Sequence, residues 1–86
     1  MATEFKVLKG SSPGTVQTAL KAGRDKKADF VIIDGRNSDL SFDNAKAGLK
    51  LFTDNNSSRG FSHVRLIGYD YDYDYDYDYD RTYRVG

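Results

Sequence analysis

The sequence predicts a small two-layer domain of the α/β or α+β class. Its order is strand, helix, strand, helix, strand, with an extended Tyr-Asp repeat strand at the C-terminal end. Three observations lead there. Apolar residues recur at strand spacing in three segments and at helical spacing in the two between them. Each helical segment opens on a serine suited to cap it. A strict Tyr-Asp alternation from Tyr69 to Asp80 then departs from everything before it. Because each strand-to-strand connection contains a helix, a small sheet with right-handed crossovers is the default, and an antiparallel or mixed pairing is the alternative.

The first strand is Glu4 to Leu8, with Phe5 and Val7 on one face. GSSPG leads into a helix over about Pro13–Gly23, in which Ser12 is the N-cap and Pro13 takes the first helical position. Val16, Ala19, Leu20 and Gly23 form its apolar stripe, and GRDKK ends it. Ala28 to Asp34 is the clearest strand. Its consecutive Phe30, Val31, Ile32 and Ile33 make both faces apolar, so a central position is expected. Ser41 caps a second helix lined by Phe42, Ala45, Leu49 and Phe52. After the polar DNNSSRG, the strand SHVRLIG sets Val64 and Leu66 on one face and His63, Arg65 and Ile67 on the other.

The repeat raises a question of parity. Run on unbroken from SHVRLIG, its tyrosines fall on the His63 side and its aspartates on the Val64 side, where burial is costly. Either the strand leaves the covered part of the sheet, or a bulge at Gly68 switches its faces. Twelve extended residues span roughly 40 Å, so part of the repeat is expected to project. It reads as a low-complexity expansion without a role, or as a binding strand, with an acidic ribbon mimicking nucleic acid favoured over a stacking platform. Its aspartates do not converge on one ion, so no Ca²⁺ site is expected.

Composition divides the chain at the same place. Of 19 Leu, Ile, Val and Phe residues, 18 lie in residues 1–68, expected to form a compact body that folds alone. Residues 69–86, the repeat and tail, hold only Val85. The body carries 11 basic against 7 acidic residues, and the repeat adds six aspartates, so the net charge of zero conceals a mildly basic body. Absence of cysteine excludes disulfides and thiolate metal sites, and a single histidine does not make a zinc site; no metal and no cofactor are expected. MATEFKVLKG has no apolar stretch like a secretory signal, and no run approaches spanning length, so action in aqueous solution without a membrane partner is expected.

Chemistry has few places to sit. DGRNSD follows the central strand directly, a common position for functional residues in open sheets: Asp34 is a candidate for orienting a base and Arg36 for clamping a phosphate. A tight turn with an exposed charge pair is the alternative. His63 is the only side chain whose unperturbed titration lies near neutrality, and Arg65 shares its face. Metal-free RNA cleavage needs a base for the 2′-hydroxyl, an acid for the leaving 5′-oxygen and a cation at phosphorus. His63, Arg65 and Arg36 supply such groups, with Tyr83 or a lysine as second proton donor; an exposed strand histidine is the alternative. Lys21, Arg24, Lys26 and Lys27 cluster at the first helix end, either as a complement to its dipole or as an RNA-positioning patch.

TVQTALKAGRDKKADFVIIDGRNSDLSFDNAKAGLKLF, followed by SHVRLIG, resembles the C-terminal tRNA-cleaving domains of bacterial contact-dependent growth inhibition proteins and related polymorphic toxins. Shared are a helix, an Ala-Asp-plus-apolar strand, a Leu-Ser-capped helix and a short strand ending near a glycine, over about residues 5–68. The resemblance implies metal-independent ribonuclease activity on tRNA in a target cell's cytoplasm, and a cognate immunity protein. The chain departs from the pattern in its shortness and its terminal repeat, and no catalytic residue is carried over. The competing expectation is a non-catalytic inhibitor, immunity-like or nucleic-acid-mimicking, that uses the acidic strand.

Overall fold

The computed structural model describes residues 1–56, 60–71 and 76–85. The elements are β1 (Thr3–Val7), α1 (Pro13–Asp25), β2 (Phe30–Asp34), α2 (Phe42–Asn55), β3 (His63–Tyr71) and β4 (Asp76–Arg84). They form one four-stranded sheet in the order β1-β2-β3-β4, with the first three strands parallel and β4 antiparallel to β3. No helix of the described residues is long and apolar enough to cross a membrane.

Both capping serines do what their positions suggest. Ser12 Oγ accepts from the Thr15 N–H and Ser41 Oγ from the Asn44 N–H, each satisfying a donor the first helical turn leaves open. α1 runs two residues past Gly23, to Asp25, and its end is strained. Lys27 follows the C-cap at φ 59°, a left-handed conformation that glycine adopts without steric cost. Lys27→Gly is therefore expected to stabilise the fold by up to about 1 kcal/mol, read as a melting temperature several degrees higher.

Two successive crossovers in one direction lay α1 and α2 against the same face of the sheet. There Val16, Leu20, Val31, Ile33, Phe52, Val64 and Leu66 are fully buried in one core. The helices meet closely at Gly48, where a Cβ would stand 2.7 Å from the Pro13 carbonyl oxygen. β2 is interior, as its apolar run implies, but only one of its faces is covered: Val31 and Ile33 are buried, while Phe30 and Ile32 are half-buried on the bare side.

The repeat does not continue as a single strand. Its first residues finish β3 and its last begin β4, which returns alongside; residues 72–75, the middle of the expected projecting strand, lie outside the described residues. There is also no bulge at Gly68, because the ladder passes through Ile67↔Asp80, Gly68↔Tyr79 and Tyr69↔Asp78 without interruption. Asp70 therefore stays on the helix side. Its carboxylate there accepts from the Phe42 N–H at 2.7 Å, meeting the positive N-terminus of α2 rather than the apolar core. The boundary drawn at Gly68 cuts through β3, and residues beyond it complete the core. Tyr79 is 4% exposed, lies across the bare backbone of Gly68, and donates its hydroxyl to the Leu40 carbonyl at 2.8 Å.

Candidate nucleic-acid interface

With both helices on one side, the other face of the sheet is left to the residues of opposite parity. The register places Phe30 beside His63 and Ile32 beside Arg65. On the far side of β3, Arg84 stands directly opposite His63, and Thr82 opposite Arg65.

His63 is half-buried, its ring stacked near that of Phe30 at 6.3 Å between centroids and 13° between planes. Its Nδ1 lies 2.8 Å from Ser62 Oγ, which in turn donates to the Asp29 carbonyl at 3.4 Å. A hydroxyl carries one hydrogen. Spent on Asp29, it leaves Oγ as the acceptor of an Nδ1–H; spent on His63, it makes Nδ1 the acceptor, and the 2.8 Å contact fits either arrangement. In either neutral tautomer one ring nitrogen keeps the lone pair that a general base requires.

The arginines are organised differently. Arg36 grips Asp34 through Nε at 2.9 Å and Nη2 at 2.8 Å, and the Arg36 backbone N–H adds a third bond at 3.0 Å. That pairing holds the Asp34 carboxyl below its usual range although the residue is only 3% exposed. Arg65 grips Asp80 in the same forked manner, Nε at 2.8 Å and Nη2 at 2.5 Å, which likewise lowers the Asp80 carboxyl. A pocket of about 260 Å³ opens between Arg36, Arg65, Tyr69, Asp78 and Asp80.

The four candidate residues thus share one face but not one point. Arg36 and Arg65 converge on the pocket, whereas His63 lies at the opposite end of β3 from its Tyr69 rim and does not line it. Asp34 orients Arg36, not His63: its neighbour on β3 is Ile67, four residues beyond His63. At the pocket the guanidinium groups of Arg36 and Arg65 are already gripped by Asp34 and Asp80, and Asp78 adds a further carboxylate, so that end repels a phosphate, while the His63 end carries Arg84. Arg84 is exposed and forms no ion pair with another described residue. Tyr83, the candidate proton donor, pairs with Val64 on the helix side and packs against the core, away from His63.

The basic cluster is also elsewhere. Arg24 hydrogen-bonds Asn56 and lies over the Phe52 ring, and Lys26 pairs with Glu4, whose register partner Val31 is on the covered face. Two of its four cations therefore serve the fold on the helix side, and Lys21 and Lys27 belong to the same helix end.

Sequence reasoning missed Arg84, because its position depends on where the chain reverses within a uniform repeat. It also missed Asp80 as the partner of Arg65. Asp80→Asn is expected to release Arg65; on the RNA reading proposed below, binding then tightens several-fold and its salt dependence steepens by about one phosphate contact. A filter-binding series over salt concentration measures both. Weaker binding by the asparagine variant would mean that the carboxylate itself contacts a partner. Comparison of the chain with protein-family models, with curated proteins and with solved structures finds no match.

Proposed function

We propose that this chain is an RNA-cleaving domain whose chemistry centres on His63 on the bare sheet face. One observation carries the reading: a histidine with its Nδ1 engaged stands beside an aromatic ring on the sheet face opposite both helices, and its cross-strand partner is Arg84, which forms no ion pair with another described residue. In the reaction, the unprotonated ring nitrogen of His63 takes the proton of a ribose 2′-hydroxyl and the freed oxygen attacks the adjacent phosphorus. The bond from phosphorus to the 5′-oxygen breaks, leaving a 2′,3′-cyclic phosphate. The departing oxygen takes a proton from water, to which the face is open. Arg84 stabilises the charge that gathers on the phosphate oxygens, a role suited to a planar donor fork.

The resemblance to tRNA-cleaving toxin domains supports tRNA as the substrate, a target cell's cytoplasm as the place of action, and an immunity protein as the natural antagonist. Purified protein incubated with bulk tRNA and a chelator is expected to yield fragments ending in cyclic phosphate. Intact tRNA would remove this reading. It would favour instead a non-catalytic inhibitor, for which Asp78 and Asp80 already stand exposed on β4.

A further inference from the structure

The bare face divides lengthwise into two unlike strips. β1 and β2 contribute Phe5, Val7, Phe30 and Ile32, of which Phe5 and Val7 are 50% and 52% exposed. β3 and β4 contribute His63, Arg65, Thr82 and Arg84. The register joins the strips residue by residue: Phe5 lies beside Ile32, Ile32 beside Arg65, and Phe30 beside His63. Neighbouring strands are about 4.8 Å apart, so the apolar strip and the polar strip of His63 and Arg84 run side by side within the width of one nucleotide chain.

A polynucleotide with unpaired bases has the same lengthwise division, with π-faces along one side and phosphates along the other. A duplex does not, because its base faces are stacked inside and a flat protein surface meets only phosphates and groove edges. Resting on the RNA reading above, we infer that the substrate is single-stranded RNA, its bases laid on Phe30 and Phe5 and its phosphates along the Arg84 side of the sheet. Asp80 takes the Nε and Nη2 of Arg65, so that guanidinium bounds the path rather than adding a free cation to it. The carboxylates of Asp78 and Asp80 close the path at the pocket end, confining the strand to the stretch around His63. That length suits about two or three stacked bases.

A second copy of the chain fits the same face less well. Laid sheet against sheet, it would strip water from the Arg65–Asp80 and Arg36–Asp34 pairs, at a cost their mutual attraction offsets poorly. An unpaired strand covers the rings and leaves those pairs wet at its margin.

The test uses a labelled 2′-O-methyl strand, which resists cleavage because the attacking hydroxyl is capped, alone and annealed to its complement. Fluorescence anisotropy is expected to show the single strand binding at least about tenfold tighter than the duplex. Phe5→Leu and Phe30→Leu, which keep apolar bulk and remove the ring, are each expected to weaken single-strand binding about tenfold and leave duplex binding unchanged. Phe5→Tyr restores it. Equal or tighter binding of the duplex, or two leucine variants as good as the parent, would overturn the inference and leave the RNA reading standing. Failure of the parent to bind either form would remove both. Sedimentation provides a last check, since a dimer dispersed by Phe5→Leu would give the face to a second copy.

Discussion

His63→Ala is expected to cut RNA cleavage about 10²–10⁴-fold, the contribution of a general acid–base group. The melting temperature should move by less than about 4 °C. The separation follows from position. His63 touches Phe30 and Ser62 on the uncovered face, whereas its neighbours Val64 and Leu66 hold the core on the other. Arg84→Ala is expected to lower the rate on the order of 10²-fold with an equally small stability change, since its cross-strand partner is His63 and it pairs with no described carboxylate. The assay is single-turnover cleavage of tRNA beside a thermal melt of each variant. A fully active alanine variant at position 63 would take the histidine out of the chemistry, whatever the fate of Arg84.

The largest stability effect is expected inside the repeat. Tyr79→Ala should cost about 3–5 kcal/mol, as a buried aromatic does when truncated, a large share of what holds so small a domain together. Tyr79→Phe isolates the polar part, about 1–3 kcal/mol, because the Leu40 carbonyl is left without its donor in a buried setting. Tyr69→Ala is the control. That tyrosine belongs to the same repeat but is 44% exposed, and its loss should fall within about 0.5 kcal/mol. A chain ending at Gly68 loses β4 together with Tyr79, Tyr83 and Val85, and is expected to lose its cooperative transition. Chemical denaturation of the series decides the matter. Equal midpoints for the alanine variants at 69 and 79 would show that the repeat contributes nothing to the core.

What the sequence made legible was the part governed by local rules. Ser12 and Ser41 announced the helix starts, the consecutive apolar residues of β2 announced an interior strand, and SHVRLIG separated the faces of β3 correctly. What it concealed was governed by pairing. A count of Leu, Ile, Val and Phe assigned residues 69–86 to a tail because it gave tyrosine no weight, yet Tyr79 fills the gap left by Gly68. The candidate site shows the same split. His63 and Arg65 could be placed on one face by alternation alone. Arg84 and Asp80 reached that face only through the register of a returning strand, and no period within a uniform repeat marks the point of return.

That register has a genetic corollary. Every described pair within the repeat sets a tyrosine against an aspartate: Tyr69 with Asp78, Asp70 with Tyr77, Tyr71 with Asp76. Slippage during replication of such a gene tends to add or remove whole Tyr-Asp units. A whole unit changes the connection by an even count, so Tyr79 still meets Gly68 and Asp80 still faces Arg65. Loss of a single codon breaks the alternation itself, setting two like residues side by side. The alternation is thus a buffer against the copying errors that its own repetitiveness invites, and natural variants of the gene are expected to differ by complete units.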